Sequence, residues 1–263
     1  GNKLVVMQTN NTLLTDVAGY RLSPQQEHLW KLQSVTQDNS YISQCAVAID
    51  GEVNEEIFKK ALQNVVDRHE ILRTSFPCLP GMTVPLQVIA HKQDTSINYY
   101  DWSDLSAEEN ERQIDLLLSQ HKSDNSNFEQ IVFKIDLIKV SAKQHILLVS
   151  LPAMIADAIS LRNLVHEIRR FYAATINNEE LSDEVLQYAD IAEWQHELLT
   201  AEEANLGKAY WQQQKLPGCF DVKLPFEQQF SEDATAFKPQ ASRLIIDKDL
   251  LACIEKLSQK QTN

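Results

Sequence analysis

Apolar and polar positions change rhythm repeatedly along this chain, and each change marks an element. Residues 45–49 alternate toward Gly51, the period-two pattern of a strand with one buried face. Asn54 then stands as the cap of a helix in which Ile57, Ala61, Val65 and Val66 share one face, ending near Arg68. Residues 71–76 read as another strand, halted by Pro77, and residues 85–90 and 97–100 as shorter ones. Ser106 with Glu109 three positions later has the form of a capping box, opening a helix through Ile114 to Leu118. Residues 131–140 and 145–151 are β-branched runs separated by a polar stretch, which predicts a hairpin. Helices follow over about 158–173, 183–199 and 201–214, until Pro217 and Gly218 break the pattern. Residues 226–239 carry no rhythm and read as a loop. A last strand over 243–246 leads into a helix over 248–259, with Leu250, Leu251, Ile254 and Leu257 along one stripe. Near the start, Ser23 and Pro24 suit the cap and first residue of a short helix bearing Leu29, Trp30 and Leu32. Residues 1–20 sustain no periodicity and read as a leader. The order of elements predicts an α/β fold, a mixed sheet packed with helices.

Composition narrows the function classes. The 263 residues are 43% hydrophobic, enough for a real core. With 37 acidic against 24 basic residues the net charge is −13, which argues against a nucleic-acid platform. No apolar run approaches the 18 or so residues that span a bilayer, and the N-terminus is too short for a secretory signal, so neither a membrane nor export is expected. Cys45, Cys78, Cys219 and Cys253 are scattered without a close pair, which fits a reduced, cytoplasmic location. Six glycines write neither a dinucleotide fingerprint nor a phosphate loop, and the histidines show no HxH or HExxH spacing, so no metal site is expected.

Four stretches in order resemble one family, the condensation domains of nonribosomal peptide synthetases, relatives of chloramphenicol acetyltransferase that join two carrier-bound acyl groups through an amide bond. Residues 22–32, LSPQQEHLWKL, are similar to the opening SxxQxRLWxL motif, with His28 where arginine is usual. Arg68, His69, Glu70, Ile71, Leu72, Arg73, Thr74, Ser75 and Phe76 match RHExLRTxF in full. Residues 151–160 align with the central MHHxxxDGxS motif, and Tyr188, Asp190 and Trp194 fall in a stretch similar to YxDFAxW. The resemblance implies a chloramphenicol acetyltransferase-like lobe over 21–240, the N-terminal of two, with residues 241–263 beginning the crossover to a second lobe that the chain lacks. It also implies substrates delivered on the phosphopantetheine arms of partner carrier proteins, neighbouring synthetase domains as further partners, and no cofactor bound by the lobe itself.

The central motif decides the expected chemistry. The family places two histidines there, the second orienting or deprotonating the attacking amine, a role that needs a group titrating near neutrality. Here those positions hold Pro152 and Ala153, and the motif glycine is Ala158, while Asp157 and Ser160 remain. His145 and His166 lie too far along the strand and helix to substitute. The resemblance therefore implies a lobe inactive in amide-bond formation, structural or docking in role. Two alternatives stand beside it: an acyltransfer lobe that works once its second lobe is supplied, and a free-standing interaction module. Asp157 is expected to pair with Arg73 or Arg68 and shape the loop. Arg68, His69 and Glu70 read as structural at a helix-to-strand turn. Tyr188, Ile191, Ala192, Gln195 and Trp194 read as packing, residues 179–184 as a solvated segment, and the uncovered final helix as a source of weak homodimerisation.

Overall fold

Strand β1 (Leu4–Met7) pairs antiparallel with β2 (Asp16–Gly19), two strands within the stretch that the sequence rhythm left without elements. Four apolar residues at 4–7 have a short partner that the sequence reading overlooked. Gly19 is required there: a Cβ on it would meet Leu86 Cβ at 2.9 Å. The protein's structure, a computed structural model, describes residues 4–7, 16–36, 41–79, 81–123, 133–214, 242 and 244–261. The expected breaks at Pro217 and Gly218, the loop over 226–239, Cys219 and Arg243 lie outside them.

After β2 come α1 (Pro24–Thr36), β3 (Ile42–Asp50) and α2 (Glu55–Arg68). The segment 71–76, expected as one strand, is instead a 3-10 turn at Glu70–Arg73 followed by the two-residue strand β4 (Thr74–Ser75), which pairs with β5 (Val88–Ile89). The turn forms because α2 ends directly before it and the Leu72 amide bonds back to the His69 carbonyl at 3.0 Å. Next are β6 (Asn98–Asp101), α3 (Ala107–Ser123), β7 (Lys134–Ser141) and β8 (Gln144–Pro152). Then follow α4 (Ala158–Asn177), α5 (Tyr188–Thr200) and α6 (Ala204–Gln213). Helix α5 starts five residues later than the rhythm suggested, because Asp183 and Gln187 are drawn into long-range bonds described below.

The central sheet runs β3-β8-β7-β6, with β7 and β8 forming the expected hairpin and β6 lying parallel to β7. The sheet is therefore mixed. Leu147, Val149 and Leu151 of β8 and Ile135 and Leu137 of β7 point to one face, where they form the core with Val65 and Val66 of α2 and Leu161 and Ile168 of α4. Alternate residues, among them Asp136 and Ser150, face the other way toward α3. Helix starts follow local rules. Ser23 and Gln26 make a reciprocal capping box at α1, with the Ser23 amide donating to Gln26 Oε1 at 2.9 Å and the Gln26 amide to Ser23 Oγ at 3.2 Å. Asn54 Oδ1 accepts from the Ile57 amide at 3.0 Å at α2. At α3 only half of the expected box forms: Ser106 Oγ accepts from the Glu109 amide, while the Glu109 carboxylate turns to Arg112.

The chain divides into two compact units, Gly1–Phe230 and Ser231–Asn263. The second contains α7 (Lys248–Gln261), capped where Asp247 Oδ1 accepts from the Leu250 amide at 2.8 Å. Residues 244–246 form no strand, contrary to the sequence reading, and Leu244 and Ile245 are exposed. Among the described residues no strand pairs with them, and an isolated strand has no ladder to hold it. Leu250, Leu251, Ile254 and Leu257 do share an exposed stripe of α7. No helix among the described residues is long and apolar enough to cross a membrane.

Candidate active site

The central motif begins where β8 runs out. Pro152 is the last strand residue and, among the described residues, pairs only with Ile42 of β3, since β7 begins at Lys134 opposite Ser150. A proline is tolerated at a strand end because one missing amide breaks little of the ladder. The loop that follows is held through its backbone. The Ala153 amide donates to the Tyr41 carbonyl at 2.9 Å, and the Ile155 and Ala156 amides reach the Pro152 carbonyl at 3.0 and 3.2 Å. Gln26 Nε2 donates to the Met154 carbonyl at 3.0 Å, and Ser43 Oγ to the Ala156 carbonyl at 2.7 Å. None of these bonds needs a particular side chain at 152 or 153, so the loop keeps its course without the histidines.

The loop opens on a cavity of about 580 Å³. Gln25, Gln26 and Leu29 of α1 form one wall, Ala153 and Met154 the floor, and Asp157, Ser160 and Glu167 the side of α4. His69, Ile71 and Leu72 enter from the turn after α2, and Tyr188 and Gln195 from α5. Tyr188 and Ser23 tie α5 to α1 through hydroxyls 2.8 Å apart. Gln195 also lines the cavity, while its Oε1 is buried with no hydrogen-bond partner among the described residues. Parts of three of the four recognised stretches therefore meet at the cavity: Gln25, Gln26 and Leu29 from 22–32, His69, Ile71 and Leu72 from the turn at 68–73, and the central loop. Of the fourth, Tyr188 reaches the cavity, whereas Asp190 and Trp194 are exposed on α5, so Trp194 does not pack as expected.

Asp157 corrects another expectation. Its carboxylate caps α4, with Oδ1 accepting from both the amide and the hydroxyl of Ser160 at 2.7 Å. Those bonds, the amide first, hold its pKa below the ordinary aspartate value. It pairs with neither arginine. Arg73 is turned to the Ala90 carbonyl and Glu70, and Arg68 to Glu167 at 3.3 Å and Asp183 at 2.7 Å, with its guanidinium over Phe171. A cap three residues away in sequence costs less chain entropy to form than a bond across the domain. Ala158, the former glycine position, is the first residue of α4 and is exposed, so its methyl is tolerated.

Asp183, taken as solvated, closes a network in which Arg170 donates to Asp183 Oδ1 at 2.7 Å and to Glu167 at 3.2 Å. Arg170 draws the Asp183 pKa down to about 2. Gln187 bridges the segment to α2, accepting from the Glu70 amide and donating to the Arg68 carbonyl, both at 3.0 Å. His69 Nε2 lies 3.4 Å from Glu167 Oε2. Of the two other histidines weighed, His145 Nδ1 lies 3.1 Å from the Gly51 carbonyl at the far end of β8, and His166 is exposed; neither lines the cavity.

Two buried clusters escaped the sequence reading. Glu193 of α5 takes the Arg21 guanidinium, with Oε2 2.6 Å from Nη2, and the Arg21 amide; this bonding lowers its pKa. Behind β8, on the face opposite the cavity, His121 Nδ1 lies 2.8 Å from Ser150 Oγ and its Nε2 lies 3.1 Å from Asp136 Oδ2. Asn98 and Gln44 complete that cluster. It has the elements of a Ser-His-Asp chain, but Ser150 and Asp136 are wholly buried, so no substrate reaches it and its role is to lock α3 to the sheet. The only sequence signal was a polar residue on each of two strands that otherwise read as apolar.

Comparison with known proteins agrees with this geometry. The family described as Condensation domain matches residues 18–263. A linear gramicidin synthase polypeptide of Brevibacillus parabrevis is 30% identical over 246 residues, which is 91% of this chain and 5% of that protein. The crystal structure of SgcC5 from Streptomyces globisporus superposes with a TM-score of 0.65 at 25% identity, over 75% of this chain and 46% of that one. A mutant starter condensation domain of rhizomide synthetase RzmA, solved in complex with C8-CoA and Leu-SNAC, gives a TM-score of 0.67 at 18% identity, over 78% and 46%. The chain thus spans about half of the solved domains and a small part of the synthetase. Both the sequence match and the shared fold lead to one assignment: this chain belongs to the condensation-domain family.

Proposed function

We propose that this chain is the N-terminal lobe of a condensation domain in a nonribosomal peptide synthetase or hybrid assembly line, and that it does not form amide bonds through its central motif. Its role is structural or docking, with carrier proteins and neighbouring synthetase domains as partners. The observation that carries the reading is the pairing of a preserved loop with changed chemistry. Gln26, Ser43 and the backbone of 152–156 hold the motif in place, yet Pro152 and Ala153 offer no group that accepts a proton. The cavity persists, lined by apolar residues with a few amides and by His69, Asp157, Ser160 and Glu167, which suits a small polar group on an aliphatic chain. The RzmA domain of like fold was solved with C8-CoA, and a carrier's phosphopantetheine arm presents an acyl group in the same thioester chemistry.

Titration of the chain with a carrier protein, its arm loaded with a stable octanoyl amide, tests this. Saturable binding is expected, weakened by Ala153→Phe, which fills the floor of the cavity. No binding to loaded or unloaded carrier would remove the docking role.

A further inference from the structure

We propose that the cavity retains a base from another element, His69 oriented by Glu167, and that with it this lobe hydrolyses acyl thioesters. The proposal rests on the reading above that the cavity receives such a thioester. His69 directly follows α2 as its C-cap, its backbone fixed by bonds to Val65 and Leu72 at 3.0 Å. Its side chain is about a quarter exposed and lines the same cavity as Ala153 and Tyr188. A carboxylate only accepts, so its attraction for Nε2 places the ring hydrogen there and leaves the lone pair on Nδ1, which makes no hydrogen bond among the described residues. Glu167 is itself held, by Arg170 at 3.2 Å and Arg68 at 3.3 Å, so the imidazole is oriented by a fixed group. Nucleophile-activating histidines are built in this way, a base positioned by a third residue. The other carboxylate on the cavity, Asp157, serves as the cap of α4, its Oδ1 accepting twice from Ser160.

Hydrolysis also asks less of the surroundings than amide formation does. Joining two acyl groups requires two substrates held together, whereas hydrolysis requires one and water. Nδ1 takes a proton from water as its oxygen attacks the thioester carbonyl carbon. The C–S bond of the tetrahedral intermediate then breaks, and the imidazolium returns the proton to the leaving thiolate. The products are a carboxylic acid and a thiol, and the atoms balance with no further reactant.

The test is thiol release from octanoyl-N-acetylcysteamine by the intact chain. We expect release above buffer, and a loss of about 100-fold in kcat at unchanged KM in His69→Gln, the usual weight of a general base. Glu167→Gln should lower kcat with KM unchanged, which keeps the test open if His69→Gln does not fold. His166→Gln, outside the cavity, should match the unchanged protein. Release at the buffer rate, or equal release by a folded His69→Gln, overturns the proposal. Binding of the stable octanoyl amide without thiol release overturns the role of His69 alone; absence of binding overturns the reading of the cavity as well.

Discussion

Asp157 occupies the one motif position that kept its charge, and its partners give that charge a local purpose. Removing a cap of this kind costs about 1 kcal/mol, whereas stranding a buried ion-pair partner costs about 3–5. We therefore expect Asp157→Ala to lower the thermal midpoint by roughly 2–4 °C and Asp157→Ser to restore most of it. A far larger drop would mean that an arginine had lost its partner. Acid stability follows the same bonds. Asp183, whose pKa Arg170 draws down to about 2, Asp101, drawn to about 2 by the Ser103 hydroxyl and Lys139, and Asp157 all titrate lower when folded than unfolded. A depressed carboxylate contributes stability that is present above its unfolded pKa and lost as pH falls through the folded one. The midpoint should thus fall between about pH 4 and 2, and Asp183→Asn should make that fall shallower; an unaltered slope would show that the arginine network contributes nothing. Caps at Ser23 and Asn54 were legible in the sequence because both partners lie within three residues. The pairing of Arg21 with Glu193 was not, because 172 positions separate them and no spacing rule links such residues.

Periodicity located most elements well: α2, the hairpin of β7 and β8, and α4 were all legible from their apolar faces. It failed where tertiary bonds override local rhythm. Residues 70–73 form a 3-10 turn although their side chains suit a strand, and α5 begins only after Gln187 has bridged to α2. Helix α3 shows the same point from inside. Its sequence reads as amphipathic and ordinary, yet His121 ties it to Ser150 and Asp136 behind the strand that ends in the motif. His121→Ala leaves the wholly buried Asp136 carboxyl and Ser150 hydroxyl short of partners, at about 3 kcal/mol or more. A midpoint lowered by several degrees, measured by calorimetry, is the expected outcome; an unchanged one would place α3 outside the cooperative fold.

Several large apolar side chains are exposed. Within the first unit Trp194, Leu206 and Trp211 are each more than half exposed on α5 and α6, and within the second the stripe of α7 is uncovered. Surfaces of this kind favour association, while the net charge of −13 opposes it. Sedimentation across a concentration series should show weak self-association that strengthens as salt screens the like charges. A strict monomer at hundreds of micromolar, indifferent to salt, would contradict it. The fold and its family were legible because four motifs survive in order; of the site, the loop at Pro152 and Ala153 was legible from the aligned central motif. The arrival of His69 and Glu167 in the same cavity was not, since they sit on different helices and meet only when α2 and α4 pack.

On the proposed function, the loop at 152–156 does not join acyl groups. Incubating the chain with one carrier protein bearing an acyl donor and another bearing an aminoacyl acceptor, and resolving the products by mass spectrometry, tests that claim most directly. The prediction is no amide product above a protein-free control, and no gain when Pro152→His and Ala153→His are introduced together. Amide formed well above that control by the unaltered chain would contradict it.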